Sequence, residues 1–310
     1  MPINVKSDLR PSTKEIILPS GGYCNKELPG GRMLISAFDW DTENILYQSV
    51  DSKTSRHIFM KYVEALRRVI KAPVVDPQEL LTGDALFILS EARSLSYGAA
   101  FTFDSKCPSC TAVEKVNLNI PDDMSCNMYP SDFDGILEYT TAKGDVVGIK
   151  FITLGEEIRC DDSARLKVTQ GVVDKDMMDS ESAKLSLASH IKTVNGEEVK
   201  RIADVVDWFE KDGDSRSEIS SFIKKVTPGL TYEIPMICGK CNVEYSDFIP
   251  LVISFFRSKS RINVQKLPRG IRLGVIGKDA GRMEIDRPPT GDNGKSEPGN
   301  PGGDEESQGQ

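Results

Sequence analysis

Two short stretches carry the chemistry in this sequence: "CPSC" at Cys107 to Cys110 and "CGKC" at Cys238 to Cys241. A two-residue spacer lets two thiolates converge on one ion, about 2.3 Å from each sulfur. Both pairs share one local grammar. A strand with an aromatic residue enters (Phe101 and Phe103; Tyr232), the cysteines form the turn, and a strand leaves (Val113 and Val116; Val243 and Tyr245). Two such knuckles facing each other supply a tetrahedral four-thiolate site, and the binding energy then counts toward folding. One shared structural zinc on Cys107, Cys110, Cys238 and Cys241 is the preferred reading. Two alternatives stay open: unconnected hairpin turns with free thiols, and a redox dithiol. The redox reading expects a pair that opens a helix after a strand, whereas strands follow both pairs here. Four thiolates leave no open metal position, so such a zinc is structural rather than catalytic.

The remaining candidates are weaker. Cys24, Cys126 and Cys160 are read as small buried hydrophobes. His57 and His190, the two histidines, fall on expected helices and are given no catalytic or metal role. "LPGGRM", from Leu28 to Met33, lacks the Lys-Ser/Thr and the helix of a phosphate loop, so it reads as a turn. "KDGDSR", from Lys211 to Arg216, lacks the remaining ligands of a calcium loop and reads as a helix cap. No GxSxG, Walker A or GxGxxG pattern occurs, and nothing assembles an active site.

The elements that must position the cysteines follow from periodicity. "KEIILPSGGYCNKELPGGRMLISAF" gives a strand, a turn-rich loop and a second strand, with Ser36 expected to cap a following helix. Apolar residues at three- and four-residue spacing predict a helix over 56–70, ended by Pro73. Asp76 and Pro77 open the next helical unit, which Thr82 restarts and Gly98 stops. Strands flank CPSC, and 135–154 read as a hairpin turning at Lys143-Gly144. A helix is expected over 180–194, a turn at Asn195-Gly196, and two further helices, the second capped by Asp212 or Asp214. "LTYEIPMI" and "VEYSDFIPLVISFF" are expected strands around CGKC. The fold class is α+β: helical segments around small antiparallel hairpins carrying the two knuckles.

The chain has 310 residues and a net charge of −8, which argues against a dedicated nucleic-acid binder. A zinc-ribbon nucleic-acid module using the basic segment from Lys259 to Arg282 remains the alternative function. No apolar run is long enough for a membrane helix, and the start lacks an export signal, so a cytosolic site of synthesis is expected. The domain reading is a flexible arm over 1–13, a body over 14–256, a basic extension over 257–283, and a disordered acidic tail over 284–310.

The order of these pieces resembles the T-even-type phage baseplate proteins, the family of small hub and hub-assembly proteins of contractile-tailed viruses. The residues that carry the resemblance are "LPSGGYC...LPGGRMLISAF" and "DWDTENIL" near the start and "LLTGDALFILSEARSLSYGAAFTFDSKCPSC" in the middle. "DSRSEISSFIKKVTPGL...MICGKCNVEYSDFIPLVISFF" follows late. It covers about residues 14–256. The resemblance implies a non-enzymatic role as a hub subunit or a hub-assembly chaperone, with other baseplate hub and tail proteins as partners. It implies a place in the host cytoplasm during assembly and possible retention in the virion tail. The family's cysteine pairs fall on Cys107, Cys110, Cys238 and Cys241.

Overall fold

The N-terminal strands form because apolar and polar residues alternate. β1 (Thr13–Ile17) and β2 (Arg32–Ser36) pair antiparallel and send Ile16, Met33 and Ile35 to one buried face. The computed structural model describes residues 12–50, 55–250 and 253–256, all within one compact unit. The basic extension, the acidic tail and residues 1–11 of the arm lie outside the described residues.

Helix α1 (Trp40–Val50) is not capped by Ser36, which ends β2. Asp39 takes that part: its Oδ1 accepts from Thr42 N at 2.8 Å and from Thr42 Oγ1 at 2.6 Å. Arg68 bonds the other oxygen at 2.8 Å. This bond and those from Thr42 hold the Asp39 carboxyl well below the usual carboxylate range. α2 (Ser55–Val69) buries Tyr62, Val63, Leu66 and Val69, matching the expected stripe. Ile70 leaves the helix and opens β3 (Ile70–Ala72), which pairs with β2. Asp76 and Pro77 open only a single tight turn, Pro77–Glu79, before α3 (Thr82–Tyr97) starts afresh. Gly98, at φ 86°, ends α3 as expected, its N–H donating to Ser94 O at 2.8 Å.

Buried in the first turn of α3, Asp84 is 0% exposed and accepts from Ser20 N at 3.0 Å and Ser20 Oγ at 2.5 Å. Burial raises its pKa from 3.8 to about 6, against the opposing pull of those two bonds. An unfolded chain therefore releases this proton first as pH rises. The stability tied to Asp84 is full below pH 3.8 and is lost as pH climbs through about 6. Asp84→Asn is expected to unfold later than wild type at pH 7.5, by at most about 3 kcal/mol, with the difference gone at pH 4. Denaturant midpoints at the two pH values read this; an equal effect at both sinks it.

After α3 come β4 (Ala100–Lys106) and β5 (Val113–Asn119), one antiparallel hairpin, and then β6 (Cys126–Asn127). β7 (Leu137–Thr140) and β8 (Val146–Ile149) turn through Gly144 as expected. The second strand ends at Ile149 rather than running on to Leu154. Thr153 and Glu156 instead form a reciprocal capping box that starts α4 (Leu154–Thr169), a helix the periodicity had not announced. Its buried face includes Glu157 and Asp161 among Leu154, Ile158, Cys160 and Ala164, so no apolar stripe marks it.

α5 (Met178–Ser189) occupies only the front of the expected 180–194 helix. β9 (Ile191–Val194) takes the rest, pairing with β8, and turns at Asn195-Gly196 into β10 (Glu197–Glu198). The sheet order is β10-β9-β8-β7. α6 (Ile202–Lys211) and α7 (Gly213–Val226) follow, with Asp212 capping α7 through Ser215 N at 3.2 Å.

The chain then returns to the elements around α3 and β6. β11 (Gly229–Leu230) pairs with β6. It can do so because Gly83 has no side chain: a Cβ there would lie 1.7 Å from Pro228 O. β12 (Glu233–Ile237) and β13 (Glu244–Phe248) form the second cysteine hairpin. The expected strand through Phe256 stops at Phe248. Pro250, with no N–H for a ladder, separates β13 from α8 (Ile253–Phe256).

Two apolar clusters result. One gathers β1 to β3, α1 to α3, the cysteine hairpins and Phe255 and Phe256; the other gathers β7 to β9 and α4 to α7. α4 joins them, giving Leu154 and Ile158 to the first and Cys160 and Ala164 to the second. The fold is mixed helix and antiparallel sheet. Among the described residues no helix is long and apolar enough to cross a membrane.

Candidate metal centre

Each cysteine pair sits at the tip of its hairpin, and the two tips have one geometry. In the first, Cys107 N–H donates to Ala112 O at 2.9 Å and Thr111 N–H to Cys107 O at 3.1 Å. In the second, Cys238 N–H donates to Val243 O at 3.0 Å and Asn242 N–H to Cys238 O at 2.8 Å. The residue after the second cysteine is left-handed in both, Thr111 at φ 58° and Asn242 at φ 55°. The first cysteine of each pair is buried, Cys107 at 1% and Cys238 at 0% exposure, and the second is half-buried.

The hairpins face each other so that the four sulfurs converge. Cys107 Sγ lies 3.7 Å from Cys241 Sγ, and Cys110 Sγ lies 3.5 Å from Cys238 Sγ. All four lie within 4.8 Å of one another. A tetrahedral ion with sulfurs about 2.3 Å away needs an edge of roughly 3.8 Å. A disulfide needs about 2.0 Å, so all four are free thiols. The donor set and spacing fit zinc.

Backbone amides support the sulfur charge. The N–H groups of Cys110 and Ser109 bring the Cys107 thiol down to about 7. The equivalent amides, of Cys241 and Lys240, pull on Cys238, but burial and the thiols of Cys110 and Cys241 outweigh them and push it up to about 12. Negative charge on one sulfur opposes charge on its neighbour, so Cys107 and Cys238 titrate as a linked pair. A divalent cation among the four reverses that opposition.

Side chains behind the tips hold the hairpins together. Ser105, 0% exposed, donates to Asp247 Oδ2 at 2.7 Å and shares a hydrogen bond with the Tyr245 hydroxyl at 3.0 Å. Gly239 N–H donates to Glu114 Oε1 at 2.6 Å. Sequence reasoning missed these groups, although Ser105 continues the inward alternation of Phe101 and Phe103. Tyr232 anchors the base of the second hairpin through Ser90 Oγ at 2.9 Å.

The model of one protein family, T4 bacteriophage base plate protein, matches residues 22–257. The chain belongs to that family. No curated protein and no solved structure matches it. Membership supports a structural role associated with the phage baseplate, in a family that is typically non-enzymatic. It implies contact with other phage tail proteins and a location at the virion tail. The matched stretch of this baseplate protein contains both cysteine hairpins and ends one residue beyond α8.

The other candidates of this baseplate family member stand apart from the cluster. His190 is buried at the end of α5, its Nδ1 2.8 Å from Lys150 O, and burial lowers its pKa to about 4. His57 lies exposed on α2. "LPGGRM" is a tight turn running into β2, and "KDGDSR" is the α7 cap. Of the three remaining cysteines only Cys160 is buried; Cys24 is exposed and Cys126 is half-buried in β6. The segment from Lys259 to Arg282, on which a nucleic-acid module would depend, lies outside the described residues.

Proposed function

We propose that this protein is a subunit of the phage tail baseplate hub or a factor that assembles it, working by binding other hub proteins. Membership of the baseplate family over 22–257 carries this reading, and the hub is its finer step. The mechanism is scaffolding. A body over 14–256 presents its surfaces to partners, and the segments over 1–13 and 257–310 add further contacts to them. One structural zinc per chain, on Cys107, Cys110, Cys238 and Cys241, fixes two hairpins 128 to 134 residues apart in sequence. The convergence of those four sulfurs supports the zinc. Assembly takes place in the host cytoplasm. Tagged protein captured from infected cells is expected to bring down baseplate hub proteins, identified by mass spectrometry. Recovery of tail proteins only from other parts of the tail, or of none, overturns the hub reading.

A further inference from the structure

The four sulfurs are placed for a second way of closing the same clamp. We propose that oxidation converts the cluster into two disulfides across the hairpins, Cys107–Cys241 and Cys110–Cys238, which keep the hairpins joined after the metal has left. The inference rests on reading the cluster as the clamp between hairpins. It does not require that the resident ion be zinc.

Three observations carry it. First, the sulfur contacts of 3.7 and 3.5 Å both run between hairpins. Second, each of these pairs joins one buried sulfur, Cys107 or Cys238, to one half-buried sulfur, Cys241 or Cys110. The reachable sulfur meets the oxidant, and the protected one lies in contact, ready to resolve it. Third, hydrogen bonds that do not involve the sulfurs also join the hairpins, Ser105 with Asp247 and Tyr245 and Glu114 with Gly239. Sulfurs so held remain neighbours while the ion departs.

The oxidant is a peroxide. A thiolate, Cys110 or Cys241, attacks the O–O bond, takes one oxygen as a sulfenic acid and releases hydroxide, which is protonated to water. The partner thiol then attacks that sulfur, forming the S–S bond and releasing a second water. For both pairs, four cysteine thiols and two hydrogen peroxide molecules give two disulfides and four waters. A bound divalent ion is released with them, having lost its thiolates. The chemistry suits a protein made in a reducing cytosol whose family is found on particles that leave it.

The test treats the full-length, metal-loaded protein with graded hydrogen peroxide. Metal release is followed with a chromogenic chelator, and disulfides are mapped by mass spectrometry of unreduced peptides. Four thiols are expected to vanish per ion released, and peptides joining 107 to 241 and 110 to 238 are expected. Dithiothreitol plus zinc should restore the starting state. Cys110→Ser should still form the Cys107–Cys241 link. Bonds within a pair, Cys107–Cys110 or Cys238–Cys241, overturn the proposal, as do sulfinic or sulfonic acids in place of cross-links. Protein that carries no metal when purified would defeat the zinc reading alone, because the peptide map still decides the disulfides.

Discussion

Cys107→Ser and Cys238→Ser are each expected to abolish zinc binding by a protein that otherwise carries about one ion per chain. The equivalence is the point. The two residues belong to hairpins far apart in sequence, yet each supplies one buried sulfur to the same cluster. A tetrahedral thiolate site that loses one ligand also keeps three sulfur dipoles facing one another without the ion that organised them. Small zinc domains draw roughly 10 kcal/mol or more from the metal. Here packing and the Ser105, Glu114 and Asp247 bonds already hold the hairpins, so a smaller share is expected, still several kcal/mol. A fall in melting temperature of about 10 °C or more follows for either variant, and the same fall for wild type stripped by chelator. Elemental analysis and thermal unfolding read both quantities. Cys160→Ser, in the other apolar cluster, should leave the zinc unchanged. Full metal retention in either of the first two variants would show that the pairs do not share a site.

The cluster was legible because its signal is chemical and local. Each pair is a spacing, each flanking strand an alternation, and both survive translation into structure. What joins them was not legible. No local rule tells Ser105 that Asp247 lies opposite, because that contact depends on Gly83 admitting the backbone at Pro228. The same limit explains α4. A periodicity argument looks for apolar stripes, and this helix buries Glu157 and Asp161 on its inner face. Its capping box, Thr153 with Glu156, was the available signal, hidden behind a run of β-branched and aromatic residues that reads as strand. Ile191 to Val194 failed for the opposite reason. A helical period continued on paper past Ser189, while the free edge of β8 recruited the segment as a strand. Positions set by helix-end chemistry, such as Gly98 after α3 and Asp212 before α7, came through intact.

Arg93→Ala is expected to destabilise the protein by about 2 to 4 kcal/mol, a large loss for one side chain. Arg93 lies on the apolar stripe of α3, where a charged residue looks misplaced, and it is buried. Its guanidinium explains the position. Nε donates to Phe255 O at 3.0 Å, Nη1 to Gly98 O at 2.9 Å and Ala99 O at 3.3 Å, and Nη2 to Ala100 O at 3.0 Å. The rings of Phe101 and Phe255 lie 5.2 and 5.4 Å from its central carbon. One side chain thus satisfies carbonyls at the end of α3, at the start of the strand entering the first knuckle, and in α8, beyond the second knuckle. Burial lowers its pKa, but a guanidinium starts high enough to stay charged at neutral pH. Truncation would remove the Arg93 donor from the buried Phe255 O and from Gly98 O and Ala100 O, leave Ala99 O with the Ile120 N–H, and open the space between two phenyl rings. Arg93→Lys keeps the charge and loses the planar fan, so it should recover only part of the loss. Urea unfolding of both variants tests this, with zinc content measured alongside. A zinc-replete Arg93→Ala protein that melts about 10 °C early would separate this tie from the metal clamp. Loss of less than about 1 kcal/mol would mean that Phe255 and Phe256 packing and the Tyr97 hydroxyl, which donates to Phe256 O at 2.8 Å, hold α8, with the buried cation contributing nothing beyond its own desolvation.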